Sequence, residues 1–77
     1  MIACQFALYP LRTERVGEVL DAALAEVSAM GIEVGVDRMS TEIRGDEARV
    51  FAALQAAFAR AAQMGEVVMS VTLSNAC

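Results

Sequence analysis

The fold of this chain is decided by residues 32–46, which read IEVGVDRMSTEIRGD. Residues 32–37 alternate apolar with polar or small side chains, and this period of two predicts a half-buried strand. A turn at residues 38–40 leads to a second short strand over residues 41–44, so the two strands form a hairpin. The glycine and aspartate that follow break the second strand and cap a helix.

A helix is expected on each side of this hairpin. Before it, apolar residues recur every three or four positions, with Thr13 as the expected N-cap and Gly31 as the C-terminal stop. After it, the same spacing continues until Gly65. The stripes expected to face the core are Val16, Val19, Leu20, Ala23, Leu24, Val27 and Met30 in the first helix, and Val50, Phe51, Leu54, Ala57, Phe58, Ala61 and Ala62 in the second.

The two ends of the chain supply the first and last strands. Residues 2–9 mix aliphatic and aromatic side chains and stop at Pro10, and a last strand runs from residue 66 to about residue 74. The resulting order predicts an α+β class domain, a ferredoxin-like βαββαβ sandwich over residues 1–77. Right-handed crossovers would place both helices on one face of a four-stranded antiparallel sheet.

Alternation along the strands separates the two faces of this sheet. The bulkier apolar set is assigned to the helix side: Cys4, Phe6, Leu8, Val34, Val36, Thr41, Ile43, Val67, Met69, Val71 and Leu73. The uncovered side then carries Gln5, Ala7, Tyr9, Glu33, Gly35, Asp37, Glu42, Arg44, Val68, Ser70, Thr72 and Ser74. Such a set is typical of a solvated sheet face, and equally of a ligand platform completed by a second copy of the chain. For Arg44, an ion pair with Glu42 or Glu33 is expected rather than anion binding.

The amino-acid composition excludes several classes of function. The 77 residues include no histidine, which excludes serine–histidine and cysteine–histidine nucleophilic pairs and imidazole metal ligands. Six basic against ten acidic residues give a net charge of −4, which disfavours nucleic acid as a partner. We therefore expect no catalytic residues, no metal site and no cofactor.

The small size indicates self-association. A domain of this length buries only about 60% of the surface of its unfolded chain, and such domains often need disulfides, metal or oligomerisation. Two cysteines make no disulfide framework, so a homodimer or homotetramer is expected. Cys4 and Cys77 could approach because the first and last strands should pair antiparallel, but a buried thiol and a frayed terminal thiol are favoured. No targeting segment or membrane-spanning run is apparent, so we expect a cytoplasmic protein without membrane insertion.

Three patterns occur in order along the chain: FxLYP at residues 6–10, STxxRG at residues 40–45 and VVMxxTxS at residues 67–74. With residues 50 and 51 and the ending through Cys77, they make the chain resemble the YkoF-like family from end to end. Proteins of that family bind thiamine or its hydroxymethylpyrimidine moiety. The resemblance implies a ferredoxin-like domain that holds such a ligand in uptake, salvage or buffering without converting it. Because family members can fuse two such domains, a homodimer or tetramer would replace the fused pair here.

The expected ligand-binding residues come from two sources. The resemblance supports the turn at Ser40 and Thr41 and the last-strand hydroxyls, whereas strand parity adds the amide, the aromatic ring and the carboxylate. These groups suit an aminopyrimidine, whose flat face needs a ring or a methionine to pack on, and the acidic balance suits a cationic thiazolium. The full set is Gln5, Tyr9, Asp37, Met39, Ser40, Thr41, Ser70, Thr72 and Asn75.

Two other classes of protein remain open at this point. An ACT-like regulatory or assembly domain would bind an amino acid, another small molecule or a subunit, although the single glycines Gly31 and Gly45 weakly disfavour it. A small enzyme built at an oligomer interface would need a general acid or base from Asp37, Glu42 or Tyr9. Nothing in the sequence shows the burial that such a group requires.

Overall fold

Six elements follow one another in the order strand, helix, strand, strand, helix, strand in a computed structural model that describes residues 1–37 and 40–76. They are β1 (Ile2–Pro10), α1 (Val16–Ala29), β2 (Glu33–Val36), β3 (Thr41–Gly45), α2 (Glu47–Gln63) and β4 (Val67–Ser74). This order confirms the predicted ferredoxin-like α+β class.

The four strands form one antiparallel sheet in the order β2-β3-β1-β4. Cys4 lies opposite Ile43 on one side and Leu73 on the other, and Phe6 lies in the same way between Thr41 and Val71. Residues that lie directly opposite one another in an antiparallel pair share a face of the sheet. The register therefore confirms the division into two faces that strand parity predicts.

Both helices contribute to a core on the Cys4 and Phe6 side of the sheet. The buried apolar residues are Cys4, Phe6, Leu8, Val19, Ala23, Val27, Ile32, Ile43, Val50, Ala53, Leu54, Ala57 and Ala61. Alanines at buried positions of both helices let α1 and α2 approach closely, and the Arg49 guanidinium donates a hydrogen bond to the Met30 carbonyl between them. The opposite face of the sheet is left uncovered.

The helix ends match the sequence prediction at three of four positions. Asp46 caps α2 by accepting a hydrogen bond from the Arg49 amide at 2.9 Å, and Gly31 follows α1 with a positive φ of 70°. The prediction of Thr13 as the N-cap of α1 is wrong, because its hydroxyl accepts from the Arg15 amide at 3.0 Å in a turn and the helix begins only at Val16. No helix in the described ranges is long and apolar enough to cross a membrane.

The placement of Phe51 and Phe58 in the core is also wrong. Their exposed fractions are 48% and 43%, and Phe51 borders a depression beside Leu73 on the edge strand β4, after which no further strand follows in the sheet. Val71 and Leu73 lie on the helix side as predicted, yet they remain 40% and 41% exposed because β4 is an edge strand. Val16 and Ala62, at the ends of the predicted stripes, are exposed as well.

Candidate ligand-binding site

The face of the sheet opposite the helices, here called the open face, presents polar side chains in rows that cross the strands. One row contains Gly35, Glu42, Gln5 and Thr72, each directly opposite the next on all four strands. In the next row of β1 and β4, Ala7 lies opposite Ser70. An amide, a carboxylate and two hydroxyls are therefore neighbours because of the sheet register alone.

Gln5 occupies the centre of this arrangement. Its Nε2 donates a hydrogen bond to Oγ of Ser40 at 3.1 Å, which connects β1 to the residue just before β3. Gln5, Ser40, Ser70 and Thr72 line a shallow depression of about 210 Å³, and the small side chain of Ala7 lies among them. Small-molecule pockets usually hold about 300–1,000 Å³. This depression by itself is therefore smaller than a usual small-molecule pocket.

A second depression adjoins the first and shares Gln5 and Thr72 with it. It holds about 250 Å³ and is bordered by Glu42 and Arg44. The Arg44 guanidinium donates to Glu42 Oε1 at 3.0 Å from Nε and lies 2.9 Å from it at NH2, which confirms the ion pair expected in the sequence. Both side chains are about half exposed, so the pair adds little stability and stays accessible to a ligand.

Glu42 and Arg44 border the candidate site, although the sequence-based set of ligand-binding residues did not include them. Both border a third depression of about 390 Å³ that reaches Glu33 and Asp37 at the β2 edge. Strand parity had already placed both residues on the open face, and this was the signal that could have selected them. Three carboxylates against one guanidinium make this end of the open face suitable for a cationic group.

Four of the nine expected residues thus lie together, and a smaller depression of about 100 Å³ brings Asp37 and Thr41 next to Ser40. Tyr9 is on the open face opposite Val68, outside the depressions described above. Asp37 directly follows β2, and its backbone amide donates a hydrogen bond to the Ser40 carbonyl at 2.9 Å. Asp37 also borders the third depression.

The remaining expected residues lie away from the open face or outside the described residues. Thr41 is only 7% exposed and lies opposite Phe6, so it faces the helices. Asn75 borders a separate depression of about 380 Å³ beside Phe51 and Leu73. Met39 lies outside the described residues.

The described residues contain no cluster of three or more histidine, cysteine or acidic side chains that could hold a metal ion. Cys4 is buried in the core, and this burial raises the pKa of its thiol. A thiol with a raised pKa stays protonated near neutral pH and is a poor nucleophile. Cys77 lies outside the described residues, so the relation between the two thiols stays a prediction.

The fold and the open face define an α+β sandwich of ferredoxin-like topology whose uncovered sheet face carries hydroxyls, an amide and an ion pair. The model of the YkoF-related family matches residues 1–77, so the chain belongs to that family. This match confirms the family resemblance found in the sequence motifs. No match was found among curated proteins.

Solved structures share the fold at low sequence identity. A DUF77 domain from Bacillus cereus is 24% identical, with a TM-score of 0.85 over 95% of this chain and 73% of that chain. A protein from Streptococcus pneumoniae is 19% identical, with a TM-score of 0.89 over 95% of this chain and 83% of that chain. A candidate thiamine biosynthesis/salvage protein from Thermotoga maritima is 17% identical, with a TM-score of 0.84 over 95% and 81%.

Proposed function

We propose that this protein binds thiamine or its hydroxymethylpyrimidine moiety on the open face and releases it unchanged. The observation that carries the proposal is the convergence of Gln5, Ser40, Ser70 and Thr72 on one depression. Membership of the YkoF-related family and the structural likeness to a candidate thiamine biosynthesis/salvage protein support the choice of ligand. The role would be uptake, salvage or buffering of the vitamin in the cytoplasm.

The side chains at this depression suit the hydrogen-bonding pattern of an aminopyrimidine. That ring presents an amino donor next to ring nitrogens that accept hydrogen bonds. The amide of Gln5 both donates and accepts, and the hydroxyls of Ser70 and Thr72 do the same. Ala7 leaves the sheet surface accessible between them, so a flat ring can lie on it.

The charge at the adjoining depression suits the other half of thiamine. Glu42 borders both the second and the third depression, and Glu33 borders the third. A thiazolium cation extending from the Gln5 depression toward Glu42 would meet carboxylates there. At a surface site such an attraction is modest, on the order of 1 kcal/mol at 4 Å in water, so it orients the ligand more than it holds it.

A second copy of the chain would complete the site. Binding pockets typically bury 70–90% or more of a ligand, whereas the depressions of one chain are shallow. Another open face packed against this one would cover the ligand and the exposed side chains of Tyr9 and Val68. We therefore expect a homodimer or homotetramer with the ligand enclosed between open faces.

Calorimetric titration with thiamine and with hydroxymethylpyrimidine tests the proposal, and Ser70→Ala is the informative variant. Ser28→Ala, at an exposed position on α1, is the matched control. We expect saturable binding that Ser70→Ala weakens several-fold and Ser28→Ala leaves unchanged, with the ligand recovered intact after incubation. Absence of binding to the unmodified protein, or a converted ligand, would contradict the proposal.

A further inference from the structure

The three depressions of the open face adjoin one another and form a groove that runs across the strands. The first lies over β1 and β4, the second reaches β3, and the third extends from β3 to the β2 edge. The first and second share Gln5 and Thr72, and the second and third share Glu42 and Arg44. The groove therefore continues beyond the depression at Gln5 that is proposed to hold the aminopyrimidine.

The length of this groove matches the length of thiamine. Thr72, Gln5, Glu42 and Gly35 lie in one row across the four strands. Neighbouring strands are about 4.8 Å apart, so the row spans about 14 Å. The two rings of thiamine are joined by one methylene and lie about one strand spacing apart, and the hydroxyethyl chain adds a similar distance. A pyrimidine at Gln5 then places the thiazolium over Glu42 and the hydroxyethyl chain over Gly35.

Gly35 leaves a gap between two carboxylates at the end of the groove. Residues two positions apart in a strand share a face, and Glu33, Gly35 and Asp37 all border the third depression. A Cβ built on Gly35 would lie 4.0 Å from the Glu42 carbonyl oxygen, its nearest contact beyond the adjacent residues. The gap is thus open space that the packing of the protein itself does not require.

The charges around this gap favour an alcohol over a phosphate ester. Among the described residues that border the third depression, three carboxylates outnumber one guanidinium, and that guanidinium is bonded to Glu42. A hydroxyl group can donate a hydrogen bond to a carboxylate. A phosphate ester on the same oxygen carries a charge of about −1.5 to −2 near neutral pH. It would lie between Glu33 and Asp37, which would repel it.

We propose that the groove ends over Gly35, where it accepts the free hydroxyethyl group of thiamine and rejects the phosphate esters of thiamine. This inference rests on the proposed ligand binding and adds the class of ligand to it. The protein would hold the unphosphorylated vitamin and leave its phosphorylated forms in solution.

Calorimetric titration with thiamine, thiamine monophosphate and hydroxymethylpyrimidine tests this specificity. We expect the monophosphate to bind about ten-fold more weakly than thiamine at low salt. The difference should shrink in about 1 M NaCl, because salt screens repulsion between charges. Equal affinities at low salt, or a difference that salt leaves unchanged, would overturn this inference alone. If neither thiamine nor hydroxymethylpyrimidine binds, the proposed function fails and this inference fails with it.

Two variants test where the discrimination arises. Glu33→Gln removes one charge at nearly constant shape and should narrow the difference between thiamine and its monophosphate several-fold. Glu26→Gln, at an exposed position on α1, is the matched control and should leave that difference unchanged. Gly35→Val fills the gap and should weaken thiamine several-fold but not hydroxymethylpyrimidine, which lacks the thiazolium and its chain. An unchanged difference in Glu33→Gln, or equal losses for both ligands in Gly35→Val, would overturn the assignment.

Discussion

Replacing Gln5 with alanine perturbs the proposed site at its centre. The Gln5 side chain borders two adjoining depressions and donates to Ser40 at 3.1 Å. A bound aminopyrimidine would use both the carbonyl and the amino group of this side chain, and each such hydrogen bond contributes about 0.5–1.5 kcal/mol net. Loss of two bonds is then about 1–3 kcal/mol, which corresponds to a dissociation constant raised roughly five-fold to 150-fold.

The same substitution should leave folding almost unaffected. Gln5 is exposed, and surface replacements typically change the free energy of unfolding by less than about 0.5 kcal/mol. Gln55→Ala, at an exposed position on α2, is the matched control for both measurements. Calorimetric titration would give the dissociation constants and urea denaturation the stabilities. A Gln5→Ala protein that binds as tightly as the unmodified one, or a Gln55→Ala protein that loses as much affinity, would refute this assignment.

Three further predictions concern stability. Asp46→Ala removes the cap of α2 and should lower the free energy of unfolding by about 1 kcal/mol in urea denaturation, while Asp46→Asn should retain most of it; equal losses would contradict the capping role. Val50→Ala leaves a cavity at a fully buried position and should cost about 2 kcal/mol, against less than about 0.5 kcal/mol for exposed Val16→Ala; similar costs would contradict the core described above. Burial raises the pKa of the Cys4 thiol in the folded protein. Below about pH 8.5, the pKa of this thiol in the unfolded chain, its contribution to stability is fully present. Above that pH the contribution declines, because the thiol ionises first in the unfolded chain. Denaturation between pH 7 and pH 10 should therefore show a steeper alkaline loss for the unmodified protein than for Cys4→Ala, and parallel curves would contradict this sign.

The topology was predictable because the hairpin at residues 32–46 separates two helices, and few folds accommodate that order. Strand parity also assigned the two faces of the sheet correctly, because successive residues of a strand point to opposite faces regardless of what packs on the sheet. The exposure of Phe51 and Phe58 was not predictable in the same way. Helical periodicity identifies an apolar stripe, but it does not show where the sheet beneath the helix ends. Only the strand order, with β4 at the edge, reveals that limit.

The candidate site, like the fold, was predictable from the sequence only in part. Alternation on β1 and β4 selected Gln5, Ser70 and Thr72, which the register then brings together. The contact of Gln5 with Ser40 joins residues 35 positions apart in the chain, and no local sequence pattern specifies such a contact. Thr41 follows Ser40 in the chain, yet it faces the helices because adjacent strand residues point to opposite faces.

An NMR titration of labelled protein with hydroxymethylpyrimidine would show whether the open face binds an aminopyrimidine. We predict saturable shifts of the Gln5 side-chain amide and of the backbone amides of Ser70 and Thr72. Exposed amides of α1, such as that of Ser28, should not move. Shifts centred instead on Asn75 and Phe51, or no saturable shift at any described residue, would rule out ligand binding on the open face.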